Sequence, residues 1–199
     1  MATQNEVGST EVTFEKPDPY TDIELLVEGK GLYCNKTMLS YASPVFAKMF
    51  HGEFTEKDQT KISLPEKKYD DFRSFLLCIH PGTLEDITDK NVDIIVPLVD
   101  EYQVIHLKKK CDCFLEKTIT QLVENKKDGF RGKLVHYLQL ANKYNLIRTY
   151  KKAVESIASQ PFKYMKPELN KAKISDQLKL EILTLRVEGL ESKKLSVYC

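Results

Sequence analysis

The sequence predicts an α+β fold, with a few short strands near the N-terminus and helices over most of the rest. Three observations predict it. Ile23, Leu25 and Val27 alternate with Glu24, Leu26 and Glu28, the period-2 signature of a strand with one apolar face. From Phe72 onward, apolar residues recur at three- and four-residue spacing in one segment after another. A polar stretch at 125–132, holding Gly129 and Gly132, interrupts that helical pattern and marks a module boundary.

Residues 1–19 read as a loose arm, because they lack periodicity and Pro17 and Pro19 oppose a helix. Gly29-Lys30-Gly31 is a turn signal, and Leu32-Tyr33-Cys34-Asn35 returns as a second strand, giving a hairpin over 22–35. Lys36 to Ala42 is a short helix. Ser43-Pro44 then supplies an N-cap and a proline at the first helical position, where its missing N–H costs nothing. Val45, Phe46, Met49 and Phe50 share one face of the helix that follows, and Gly52 ends it. Glu53 to Gln59 is a charged loop with one large apolar residue, Phe54. Ile62 and Leu64 mark a short strand stopped by Pro65.

Phe72, Phe75, Leu76 and Ile79 define an amphipathic helix with Asp70 and Asp71 in its first turn, where the macrodipole favours acid; Pro81-Gly82 breaks it. Thr88-Asp89 offers cap chemistry for a helix carrying Val92, Ile95, Val96, Val99 and Tyr102, in which Pro97 implies a kink or a late start. Leu107, Cys111, Phe114 and Leu115 continue as a helix to about Leu122. Beyond the break, Leu134, Leu138, Ala141 and Tyr144 form one stripe. Ile147, Tyr150, Val154, Ile157 and Ala158 form another, ended by Pro161. Leu178, Ile182 and Leu185 form a third after Ser175-Asp176, and the tail from Gly189 is polar.

Composition excludes several classes. The 199 residues hold 30 basic and 29 acidic side chains for a net charge of +1, without the excess a general nucleic-acid or membrane-surface binder needs. That sum hides an asymmetry: residues 143–199 carry a net +6 and the remainder a net −5. The longest apolar run, Ile94 to Val99, is far shorter than the roughly 18 residues of a membrane span. No secretory signal is visible in residues 1–11, and the five cysteines are odd in number and irregular in spacing. Both fit a cytoplasmic or nuclear protein that is not secreted.

No motif points to catalysis or a cofactor. Gly29/Gly31 and Gly129/Gly132 lack the spacing of a phosphate loop, and no HExxH or GxSxG occurs. Cys111 and Cys113 point about 200° apart on a helix and cannot share a metal, and Cys111 lies on the apolar stripe with Leu107 and Phe114. The cluster Lys108-Lys109-Lys110 fans around its helix rather than forming one patch, which fits a solvated face better than a nucleic-acid contact. Phe54, alone among charged neighbours and followed by Glu56, is either tucked into the core or shown to a partner; if shown, the pair suits a hot spot ringed by polar contacts.

The order of these elements, with the residues at their joints, resembles the BTB/POZ domain from Asp22 to Leu115. Asp22-Ile23-Glu24-Leu25-Leu26-Val27 is similar to its opening strand, and Leu32-Tyr33-Cys34-Asn35-Lys36 with Leu39 to its F-x-A-H-K-x-x-L signature. Ser43, Phe46, Met49 and Phe50 match its S-x-x-F-x-x-M-F helix. Phe72, Leu76, Cys78 with Pro81-Gly82, and Tyr102 with Leu107 and Cys111, follow in order. The wording around VEGKGLYCNKTMLSYAS looks most like the nematode-type BTB and MATH–BTB group, here without a MATH, Kelch or zinc-finger region. Asn35 and Cys34 replace the signature histidine and alanine, and His80-Pro81-Gly82 replaces the usual aromatic turn.

The resemblance implies a small sheet capped by helices over 20–122, a BACK-like or 3-box-like helical extension over 130–187, and a polar tail over 188–199. It implies a non-enzymatic protein-interaction module without cofactor or metal. Many such modules are ubiquitin-ligase adaptors that dock a cullin scaffold of the cullin-3 type. The aligned docking residues here are Phe54, Glu56 and Tyr102. Homo- or heterodimerisation is also implied, although Glu11 to Tyr20 lacks the amphipathic helix many dimers use. Two rival expectations are an oligomerisation scaffold that binds no cullin and a transcription-associated regulator.

Overall fold

A computed structural model describes residues 13–52, 59–126 and 128–195. The chain divides into two compact units, residues 1–107 and 108–199.

The first unit is built on a three-stranded sheet, order β2-β1-β3. Strand β1 (Ile23–Val27) pairs antiparallel with β2 (Lys30–Cys34) and parallel with β3 (Lys61–Ser63). Alternation decides which face is buried: Ile23, Leu25 and Val27 are inside, Glu24 and Leu26 half-exposed. The hairpin turn is Glu28-Gly29, one position earlier than Gly29-Lys30-Gly31 suggests. Both residues take positive φ, 50° and 78°, the pairing of a two-residue I′ turn whose twist matches the strands. Gly29 meets that requirement without a Cβ penalty.

Helices α1 (Lys36–Ala42) and α2 (Pro44–His51) form the crossover from β2 to β3. Each begins where its sequence predicts. Asn35 Oδ1 accepts from the Met38 N–H at 2.9 Å, and Ser43 Oγ accepts from the Phe46 N–H at 3.1 Å. Helix α3 (Tyr69–Ile79) has no side-chain cap of its own; Glu28 Oε2, from the hairpin turn, accepts from its Tyr69 N–H at 2.9 Å. Helix α4 (Val92–Glu101) starts five residues before Pro97 and contains it, so the late start does not occur.

The expected arm is held down over its described part. Phe14, at φ 61°, is buried and meets the His80 ring edge-on at 5.5 Å. Its carbonyl accepts from the Tyr33 N–H at 2.9 Å, while Arg73 Nε donates to the Thr13 carbonyl at 3.1 Å. A buried apolar residue, one backbone bond and one side-chain bond fasten the segment, and the prolines oppose only a helix.

Helix α5 (Ile105–Asn125) runs three residues past Leu122 and crosses from the first unit's last residues into the second. The second unit continues with α6 (Phe130–Tyr144), α7 (Ile147–Ser159), α8 (Phe162–Lys171) and α9 (Asp176–Leu195). Gly129 is the left-handed N-cap of α6, and Gly132 lies inside that helix. The sequence does not announce α8: Pro161 reads as the end of the preceding stripe, yet it is the N-cap of α8, and Pro167 is carried within the helix while Met165 and Leu169 are buried. Two expected stripe residues face out, Ile147 and Leu185, and α9 continues through Gly189 instead of ending in a tail.

Helix α7 starts at Leu146, which has no capping side chain. Asp112 on α5 takes that role from 37 residues away: its carboxylate accepts from the Arg148 N–H at 3.1 Å, the Thr149 N–H at 2.8 Å and the Thr149 hydroxyl at 2.7 Å. A carboxylate at a helix N-terminus satisfies orphan donors and complements the dipole.

Candidate protein-docking surface

The aromatic residues of α2, α3 and the end of α4 converge on Tyr102. Its ring stacks on Phe46 at 4.6 Å and meets Phe72 and Phe75 at 5.5 Å each, with Phe50 stacked on Phe46 at 5.8 Å. Such pairs contribute about 0.5–1.5 kcal/mol each beyond area burial. Tyr102, one of the three aligned docking residues, is 3% exposed, its side chain packed inward. Burial, and secondarily the Glu101 charge, pushes its phenol well above the usual tyrosine range. The physical reason is position: Tyr102 caps α4, where its ring turns back onto α2 while its carbonyl accepts from Ser43 Oγ at 2.5 Å.

The other joint residues fall as follows. Leu32, Leu39, Ser43, Phe46, Phe50 and Phe72 are buried in the first unit, and Met49 is half-buried. Asp22 is polar hardware, its Oδ1 accepting from the Lys36 N–H at 2.7 Å at the start of α1. Cys111 is fully buried but belongs to the second unit. Phe54 and Glu56 lie outside the described residues. The flanks of their segment are fixed: Gly52 N–H closes α2 onto the Lys48 carbonyl at 2.8 Å, and the Thr60 carbonyl accepts from the Glu24 N–H at 2.8 Å beside β3. The sequence reading missed the Ser43–Tyr102 bond and two exposed aromatics, Tyr20 and Tyr41, at 78% and 90% exposure. The bond leaves no local signal, since its partners are 59 residues apart.

Burial, then the Asp22 and Asp18 carboxylates, pushes the Cys34 thiol up to about 12, so it holds its proton and is a poor nucleophile. His51 Nε2 lies 3.1 Å from Ser40 Oγ, but that hydroxyl donates to the Lys36 carbonyl at 2.7 Å, as a helical serine does. Among the described residues no cluster of three or more His, Cys, Asp or Glu could hold a metal ion. Among them, too, no helix is long and apolar enough to cross a membrane.

A small mixed sheet and a helical crossover locked by aromatic packing form the first unit, with Tyr20 and Tyr41 exposed on it. The profile of the BTB/POZ domain matches residues 12–119, more than half of the chain, and the chain belongs to that family. It is 34% identical over 104 residues to BTB and MATH domain-containing protein 36 of Caenorhabditis elegans, covering 52% of this chain and 32% of that protein. It is 33% identical over 94 residues to BTB and MATH domain-containing protein 38 of the same organism, covering 47% of this chain and 24% of that one. The chain therefore spans about a quarter to a third of the length of these curated relatives. Among solved structures, the BTB domain of human gigaxonin is 21% identical with a TM-score of 0.41, over 48% of this chain and 77% of that one.

Proposed function

We propose that this BTB protein is a non-enzymatic adaptor that docks a cullin scaffold of the cullin-3 type within a ubiquitin ligase. Phe54 is the apolar anchor and Glu56 the polar contact beside it. The observation that carries this reading is the placement of their segment between two rigid elements. Helix α2 is fastened through Ser43 to Tyr102, and β3 is zipped to β1. A segment anchored at both ends by rigid elements loses less freedom on binding than one anchored at neither. Tyr102 acts as a positioning residue here, holding α2 from behind. Cys34, Cys78, Cys111 and Cys113 are not in disulfides, which fits a reducing cytoplasmic or nuclear setting.

The test is binding of the purified chain to the N-terminal region of the cullin, followed by calorimetry or pull-down. Phe54→Ala is expected to weaken binding at least tenfold and Glu56→Lys severalfold, with unchanged melting. Absence of binding by the wild type overturns the adaptor reading and leaves an oligomerisation scaffold. Equal binding by Phe54→Ala overturns the site.

A further inference from the structure

Inside the second unit, α8 and α9 leave a groove between them. It narrows to a cavity of about 70 Å³ floored by Leu169 and Ile182, with Phe162 at its end. Both floor residues are buried, so packing already made holds them in place. The two banks differ in chemistry. Lys166 and Asn170 form the α8 bank. Lys163 shares their stripe, because spacings of three and four residues keep the three within about 60° of the helix circumference. All three are exposed, and the one acid of α8, Glu168, turns instead toward Gly132 on α6. Leu183 forms the α9 bank, and Leu180, Val187 and Leu190 continue beside it at 66%, 52% and 56% exposure.

The charges near the groove are not equivalent. Lys179 already pairs with Asp176 at 2.8 Å, and Arg186 already donates to the Gln160 and Ile157 carbonyls while covering the Phe162 ring. Lys163 and Lys166 meet no carboxylate among the described residues. Lys163 rests on the Tyr164 ring at 4.7 Å, which leaves its charge intact. The apolar floor and the aliphatic α9 bank therefore face uncompensated ammonium groups across one trough.

We propose that this groove takes an acidic, amphipathic segment of a partner protein, with an aliphatic side chain in the notch and carboxylates against Lys163 and Lys166. The two lysines are one turn apart, so carboxylates spaced three or four residues apart on a helical ligand reach both. The net +6 over residues 143–199 steers such a ligand toward this unit. A single-stranded nucleic acid fits less well. It needs open ring faces on which to stack its bases, whereas Arg186 covers Phe162, and Lys163 and Arg131 cover Tyr164.

The test is fluorescence anisotropy on the 199-residue chain with a labelled peptide of Glu-Glu-Leu-Leu repeats. Saturable binding is expected. Lys163→Glu with Lys166→Glu should weaken it by about tenfold or more, and Leu183→Ser severalfold. Lys143→Glu with Lys151→Glu makes the same charge change at exposed positions of α6 and α7 and should cost no more than about twofold. All four lysines are exposed, so neither pair of substitutions should move the melting temperature. Phe54→Ala should bind the peptide as the parent does, which keeps this site distinct from cullin docking. No binding by the parent chain, equal losses in the two lysine pairs, or equal binding of a Glu-Glu-Ser-Ser peptide overturns the proposal. So does a single-stranded DNA oligonucleotide that displaces the peptide and binds more tightly.

Discussion

The Ser43 hydroxyl, fully buried, donates to the Tyr102 carbonyl while accepting from the Phe46 N–H, so one oxygen ties the end of α4 to the start of α2. Removing it leaves a buried acceptor and a buried donor unpaired at once. Ser43→Ala is expected to destabilise the chain by about 2–4 kcal/mol, the sum of a lost cap and an orphaned buried carbonyl. Asn35→Ala, which removes the more exposed cap of α1, should cost about 1 kcal/mol. Urea unfolding of the two variants checks this, and equal losses would contradict the role given to the Tyr102 bond.

Tyr102 separates packing from partner contact. Tyr102→Phe keeps the ring on Phe46, Phe72 and Phe75, and should change stability by less than about 1 kcal/mol. Tyr102→Ala opens the aromatic centre and should cost about 3–5 kcal/mol. In a binding assay Tyr102→Phe is expected to match the wild type. Weakened binding by the phenylalanine variant, with melting unchanged, would return the phenol to the docking surface.

His80 gives the first unit an acid-sensitive fastening. Its Nδ1 accepts from the Gly82 N–H at 3.0 Å, which requires the unprotonated ring, and the ring supports Phe14. Burial lowers its pKa below the usual histidine value, with Asp18 pulling the other way. A histidine whose folded pKa is depressed stabilises the fold above its unfolded pKa, near 6.5, and that stability is lost as pH falls through the folded pKa. Hydrogen exchange of the Tyr33 amide, bonded to the Phe14 carbonyl, should therefore accelerate between pH 7 and pH 5 beyond its intrinsic pH dependence. His80→Gln should flatten that response, and an unchanged response in this variant would remove His80 as its origin.

Thiol reactivity should divide along burial. Cys34, held protonated by its surroundings, and the buried Cys78 and Cys111 are expected to resist iodoacetamide in the native chain at pH 8. Cys113, half-buried and contacted by Arg148 Nη1 at 3.4 Å, should label. Peptide mapping by mass spectrometry reads this directly. Native labelling of Cys34 at a rate near that of Cys113 would contradict the placement.

The Asp112 clamp offers a test inside the second unit. Asp112→Ala removes three hydrogen bonds from the start of α7 and leaves the N–H of the fully buried Thr149 without its acceptor, while the Thr149 hydroxyl keeps the Asp112 carbonyl at 3.1 Å. A loss of about 2–3 kcal/mol is expected. Asp112→Asn keeps an acceptor oxygen and should recover about half of it. Thermal unfolding in low and high salt checks the charge component.

What the sequence made legible was whatever rests on neighbours. Ser43-Pro44 and Ser175-Asp176 mark helix starts because a cap needs only the next three residues, whereas Asn35, which reads as the end of a strand, is the N-cap of α1. Alternation over Ile23–Val27 sets β1 because strand period is local. What it concealed depends on distance. Glu28 caps α3 from 41 residues away, Asp112 caps α7 from 37, and Tyr102 points inward because Phe46 and Phe72 wait for it. Helix α8 was hidden for a different reason. Pro161 and Pro167 outvote propensity locally, but burial of Met165 and Leu169 outweighs the missing hydrogen bond. Of the docking candidates, the family resemblance singled out Phe54, Glu56 and Tyr102 together, yet only Tyr102 lies among the described residues, and there it is a core residue.

Strand β3 joins the sheet from far along the chain, since Glu24 is opposite Lys61, and the whole crossover with α1 and α2 lies between them. The hairpin pairs residues close in sequence, while β3 pairs across the crossover and follows residues 53–58 in the chain. Closure entropy grows only as the logarithm of segment length, about 0.6 kcal/mol per doubling. A lineage could therefore lengthen or rewrite those six positions at little cost to the sheet. Partner choice and folding would then be under nearly separate selection, divided at Gly52 and Thr60.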